Sequence, residues 1–166
     1  MNTLQRWTLC LALPCLAAAA PPARPAAGVP VAMLSQPGTP LDATARNLLS
    51  QDIAEAARSG DRPLLLVGTA RLGAASDRPA LFVQLQSPRE CGSAGCSTLV
   101  YAWVGGRYRR VLDGVTGRFS VAAARHRGMA DLIADKEVYV WNGTAYASRD
   151  PAPNVDLRPR RGRPAG

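Results

Sequence analysis

Apolar residues along this chain first recur about every fourth position and later at every second, and that change of period divides it into elements. Leu41, Ala45, Leu48, Leu49, Ile53 and Ala56 recur at helical spacing, with Asp52 the polar member of the stripe and Arg46, Gln51 and Glu55 off it. This spacing predicts one amphipathic helix over 40–58, whose apolar stripe requires a partner. Thr39 suits the cap, Pro40 the first helical position, and Asp42 the positive end of the helix dipole. Gly60, just after Arg58 and Ser59, is a stop.

Beyond Gly60 the pattern is that of strands. Residues 64–67 are a short apolar run, and 80–86 alternate, with Leu81, Val83 and Leu85 on one face and Phe82, Gln84 and Gln86 on the other. Residues 98–104 place Leu99, Tyr101 and Trp103 together, and Gly105-Gly106 turns the chain into a strand over 107–112. Further strands are expected over 118–123 and 137–141, and Asn142-Gly143 turns into 144–148. The expected fold class is α+β: one N-terminal amphipathic helix packed on an antiparallel β-meander of about six strands.

Composition adds the ends. A short basic start, an apolar run from Trp7 and the small residues Ala17-Ala18-Ala19-Ala20 match a secretory signal peptide over 1–20, with cleavage as late as residue 27. The run is shorter than the roughly 20 apolar residues of a membrane span, and the residues before Cys10 and Cys15 do not suit lipid attachment. An Ala/Pro-rich linker is expected over 21–38, a single domain over 39–148, and an Arg/Pro-rich tail over 149–166 with too little apolar content to fold alone. The net charge is +8 from 20 basic and 12 acidic residues. Residues 29–148 carry 13 of the basic and 10 of the acidic ones, so the body is only mildly basic. The tail residues Arg158, Arg160, Arg161 and Arg163 suit weak contact with an anionic surface. The tail is short and lacks aromatics, which argues against a nucleic-acid partner. The resulting localisation is periplasmic or secreted.

Removing the leader leaves two cysteines, in Cys91-Gly92-Ser93-Ala94-Gly95-Cys96. Glycines at 92 and 95 allow a reversal tight enough for the roughly 4.4–6.8 Å between Cα atoms that a disulfide needs. Closing so short a loop contributes on the order of 2 kcal/mol. A strand-to-strand setting favours a structural disulfide over a redox pair, which usually sits at a helix start. A closed metal site would need carboxylates, because His126 is the sole histidine. Any Ser-His-Asp or Cys-His arrangement would also depend on His126, which lies in Arg125-His126-Arg127 and reads as an exposed loop residue. No Gly-x-Ser-x-Gly elbow or phosphate-binding glycine loop occurs. Asp131, Asp135 and Glu137 cluster around Lys136 as ordinary surface does. No cofactor is implied.

Four segments occur in a recognisable order: Phe82-Val83-Gln84-Leu85-Gln86, the cysteine hexapeptide, Gly128-Met129-Ala130-Asp131-Leu132, and Tyr139-Val140-Trp141-Asn142-Gly143-Thr144-Ala145-Tyr146. Together they resemble a group of small exported bacterial proteins of uncharacterised function. That group has a Cys-Gly-x-x-Gly-Cys turn, a Gly-x-x-Asp-Leu segment and a final Trp-Asn/Asp-Gly-x-x-Tyr hairpin. Met129 stands where the group's pattern has Trp. That group carries no established activity, and the chain is read as a non-enzymatic binding or interaction module of the periplasm or envelope, with Asp131, Trp141, Asn142, Gly143 and Tyr146 as candidate interaction residues. Residues 142–146 are also similar to the Ser-Gly-x-x-Tyr segment of periplasmic lysozyme inhibitors, with Asn142 in place of Ser. An inhibitor-like hairpin is therefore one alternative, and a thiol-disulfide enzyme at Cys91 and Cys96 the other.

Overall fold

A computed structural model describes residues 28–73 and 78–151. The expected leader and the tail arginines 158, 160, 161 and 163 lie outside the described residues. The elements, in order, are β1 (Val29–Pro30), α1 (Pro40–Leu48), α2 (Ser50–Arg58), β2 (Leu64–Ala70), β3 (Ala80–Gln86), β4 (Cys91–Gly92), β5 (Gly95–Cys96), β6 (Thr98–Val104), β7 (Arg107–Val115), β8 (Phe119–His126), β9 (Met129–Ala134), β10 (Glu137–Trp141) and β11 (Tyr146–Ser148). No helix among the described residues is long and apolar enough to cross a membrane.

The expected fold class is corrected here. Among the described residues the protein is mostly β, with eleven strands in three sheets and two short helices. One sheet has the order β1-β8-β9-β10-β11, a second the order β2-β3-β6-β7, and β4-β5 form a separate hairpin. The reason is visible in β3, where Ala80, Leu81, Phe82 and Val83 are all buried. Successive strand residues point to opposite faces, so both faces of this sheet are covered. Leu81, Val83 and Leu85 pack with Leu65, Val67 and Tyr101 against Ala45 and Leu49 of the helical segment. Phe82, Val100, Ala102 and Leu112 face the other way, onto Phe119, Leu132, Tyr139, Trp141 and Tyr146 of the five-stranded sheet. The layers are therefore helix, sheet and sheet, and the Phe82 and Phe119 rings meet in the central core at 5.5 Å.

The helical stripe forms as its spacing requires, with Thr39 accepting the backbone N–H of Asp42 at the cap. It divides at Leu49, which sits 1% exposed against the sheet. Thr44 donates its hydroxyl to the Pro40 carbonyl four residues back at 2.8 Å, a bond that bends helices. Arg46 lies 2.9 Å from Asp42 and holds that carboxyl below the usual carboxylate range.

Residues 28–34, read from composition as linker, stitch the two sheets together. The Val31 N–H donates to Phe119 of β8, and Leu34 exchanges two backbone bonds with Val67 of β2. The segment runs so close to β2 that a Cβ on Gly68 would lie 2.7 Å from the Ala32 carbonyl oxygen. Position 68 therefore has no room for a side chain. The chain changes sheets between β7 and β8, where Gly117 adopts φ +117°. A Cβ there would lie 2.6 Å from Oδ2 of Asp135.

Two hairpins differ in how they turn. Gly105 and Gly106 both take positive φ, +61° and +79°, and join β6 to β7 as the sequence predicts. The Asn142-Gly143 turn is longer than a two-residue one, because β10 ends at Trp141 and β11 begins at Tyr146. Asn142 acts through its side chain, whose oxygen accepts the N–H groups of Thr144 and Ala145, the local bonding that asparagine offers in turns.

Candidate functional site

The expected interaction residues come together at one end of the five-stranded sheet, at very different depths. Trp141 and Tyr146 are 8% and 6% exposed and belong to the core between the sheets, with their rings 5.4 Å apart. Asp131 is 3% exposed. Only Asn142 and Gly143, at the hairpin tip, face solvent. The Tyr146 hydroxyl donates to the Ala130 carbonyl at 2.7 Å. Burial and the Asp131 charge push its ionisation well above the ordinary tyrosine range, against a smaller opposing effect of Arg125.

Sequence reasoning missed the partner of Asp131. His126 is the last residue of β8 rather than a loop residue, and its Nδ1 lies 2.6 Å from Oδ1 of Asp131. The five-residue separation carries no helical or strand period, so nothing in the sequence pairs the two. The flanking arginines are engaged by backbone carbonyls. Arg125 donates to Leu72 and Gly128, and Arg127 donates to Asn142. The basic triplet thus ties the β8–β9 turn to its neighbours. A carboxylate on Nδ1 orients an imidazole for proton transfer at Nε2. Among the described residues, no serine, threonine or cysteine side chain is hydrogen-bonded to that ring, and Cys91 and Cys96 are joined in a disulfide. The pair joins the two ends of the β8–β9 turn.

The disulfide joins Cys91 and Cys96 directly opposite each other across β4 and β5. Gln84 of β3 donates to the Cys96 carbonyl at 2.8 Å and to the Thr98 hydroxyl at 3.2 Å, which seats this small hairpin on the four-stranded sheet. Its glycine side borders a groove of about 750 Å³ whose wall also includes Gln84, Gln86 and Thr98. No group of three or more His, Cys, Asp or Glu among the described residues is arranged to hold a metal ion.

A second groove lies on the outer face of the five-stranded sheet and was not singled out by any motif. Pro30 pairs with Ser120, Ser120 with Ile133, and Ile133 with Val138. Residues directly opposite in adjacent strands share a face, so these four side chains form one row across β1, β8, β9 and β10. Their chain neighbours Phe119, Leu132, Ala134 and Tyr139 point into the core, which fixes the row on the outside. Ser120, Ile133 and Val138 are half-buried and Pro30 is exposed. The backbone N–H of Arg149 donates to the Val138 carbonyl at 2.8 Å and extends the row to a cation. The groove has a volume of about 590 Å³, and Arg118, Asp135, Lys136 and Arg149 stand among its lining residues. Asp135 exchanges bonds with Arg118: its N–H donates to the Arg118 carbonyl, and its Oδ1 accepts the Arg118 N–H.

The four-stranded sheet is covered on its outer face by α1 and α2, whereas no helix among the described residues covers the outer face of the five-stranded one. The chain matches no protein-family model, and neither the curated proteins nor the solved structures yield a match.

Proposed function

We propose that this protein is an exported bacterial binding module of the periplasm or envelope, acting without catalysis through the open face of its five-stranded sheet. One observation carries the binding reading: the row of Pro30, Ser120, Ile133 and Val138, half-buried at all but Pro30, forms the floor of a groove of about 590 Å³. That volume lies within the range typical of small-ligand sites, which are apolar with a few placed polar groups. The compartment reading rests on the apolar leader and on the Cys91–Cys96 disulfide, since disulfides persist mainly in oxidising compartments. The motif resemblance to small exported bacterial proteins points the same way.

Fractionating bacteria that express the full chain tests the compartment. The expected result is recovery in the periplasmic or envelope fraction, shortened at the N-terminus, with Cys91 and Cys96 protected from thiol alkylation. Full-length protein in the cytoplasm with both thiols free would contradict it.

A further inference from the structure

We infer that the groove on the outer face of the five-stranded sheet takes a single medium-chain fatty acid, its chain on the apolar row and its carboxylate at the cationic rim. This rests on the reading of that face as the binding surface and adds the ligand's chemistry. The floor lies in the middle of a sheet, where the backbone groups of β8, β9 and β10 are paired with one another. A peptide strand therefore finds no free ladder to join, and recognition falls to side chains. Along the floor these are apolar at Pro30, Ile133 and Val138, with one hydroxyl at Ser120.

Charge at the rim selects the head group. Arg118, Lys136 and Arg149 stand at the rim. Arg118 lies 3.8 Å from Asp135, whose carboxylate also accepts the Arg118 N–H at 3.1 Å, and Arg149 lies 3.4 Å from Asp150, so three cations face two carboxylates. Lys136 has no ion-pair partner among the described residues. The rim thus complements an anion, and the floor complements a hydrocarbon chain. Residues 152–166 carry four arginines, 158, 160, 161 and 163, one aspartate, 156, and three prolines, 153, 159 and 164. Like charge makes that segment a poor occupant of the same rim. The neighbouring groove toward the disulfide hairpin shares Pro30, Arg118 and Asp135 with this one and adds Gln84, Gln86 and Thr98 to the apolar Met33 and Leu66, so the two grooves meet at the Arg118 corner.

The test is calorimetric titration of the exported protein with laurate, lauryl alcohol and lauryltrimethylammonium, each below its aggregation threshold. Laurate is expected to bind most tightly. Arg118→Glu and Lys136→Glu, at exposed positions where folding is unaffected, should each weaken laurate about threefold or more and leave lauryl alcohol unchanged. Val138→Asp should abolish binding of both, with an unchanged far-ultraviolet circular dichroism spectrum showing that the variant is folded. Equal affinity for laurate and the ammonium amphiphile, or no effect of either charge reversal, would overturn the fatty-acid assignment while leaving the face as a binding surface. Absence of binding by all three probes, or binding insensitive to both Val138→Asp and the charge reversals, would overturn the face as well.

Discussion

At the scale of single residues, burial decides what each side chain of the final motif does. The Trp141 and Tyr146 rings face inward, and the polar tip left outside is Asn142-Gly143. Tyr146→Phe deletes the hydroxyl that Ala130 accepts from and strands a buried carbonyl, so it should cost about 1–2 kcal/mol in urea unfolding at neutral pH. An unchanged midpoint would show the bond to be dispensable. The same hydroxyl gives a pH dependence. Its ionisation is raised in the folded state, as is that of Tyr139, pushed up to about 12 by burial first and then by Glu137. Stability from both phenols is fully present below the unfolded tyrosine value near 10 and is lost as pH rises through the folded ones. The parent should therefore lose stability above about pH 10, and the Tyr146→Phe variant should lose less over that window. Parallel losses in the two proteins would remove Tyr146 from this account.

At the scale of elements, some devices were legible in the sequence and others were not. The helical stripe, its Thr39 cap, the Gly105-Gly106 turn and the strand over 80–86 follow from local chemistry that needs no partner. Strand β9 was missed because Met129, Ala130, Asp131, Leu132, Ile133 and Ala134 do not alternate. In the fold, Asp131 is buried beside His126, so the polar position does not mark an open face. The single helix was expected to stay whole, and the back-bond of Thr44 that accompanies its bend leaves no mark in the apolar period. The turn where the chain changes sheets is the least forgiving element. Gly117 combines a positive φ with the Asp135 carboxylate where a Cβ would lie. Gly117→Ala should cost about 1–2 kcal/mol from backbone conformation alone, read as a lower urea midpoint with an unchanged slope. A variant as stable as the parent would show that this corner relaxes.

At the scale of the whole molecule, the sequence could not show that the strands divide between two sheets. Alternation identifies which residues share a face but not which sheet covers that face. Phe82 is the instructive case. Placed by alternation on the face it shares with Gln84 and Gln86, it lies at the centre of the molecule, against Phe119. Once the sheets divide, α1 and α2 close the outer face of one and leave the other with a half-buried apolar row. That row was illegible for a related reason, because Pro30, Ser120, Ile133 and Val138 come from four segments that only register brings together. Central to this account is that ligand binds on that face. The most direct measurement is two-dimensional amide NMR of isotope-labelled protein titrated with laurate. The expected result is saturable shifts at Ser120, Ile133, Val138 and Arg149, with α1 and α2 unmoved. Shifts confined to the helices, the disulfide hairpin or the His126–Asp131 end, with those four amides unchanged, would contradict it.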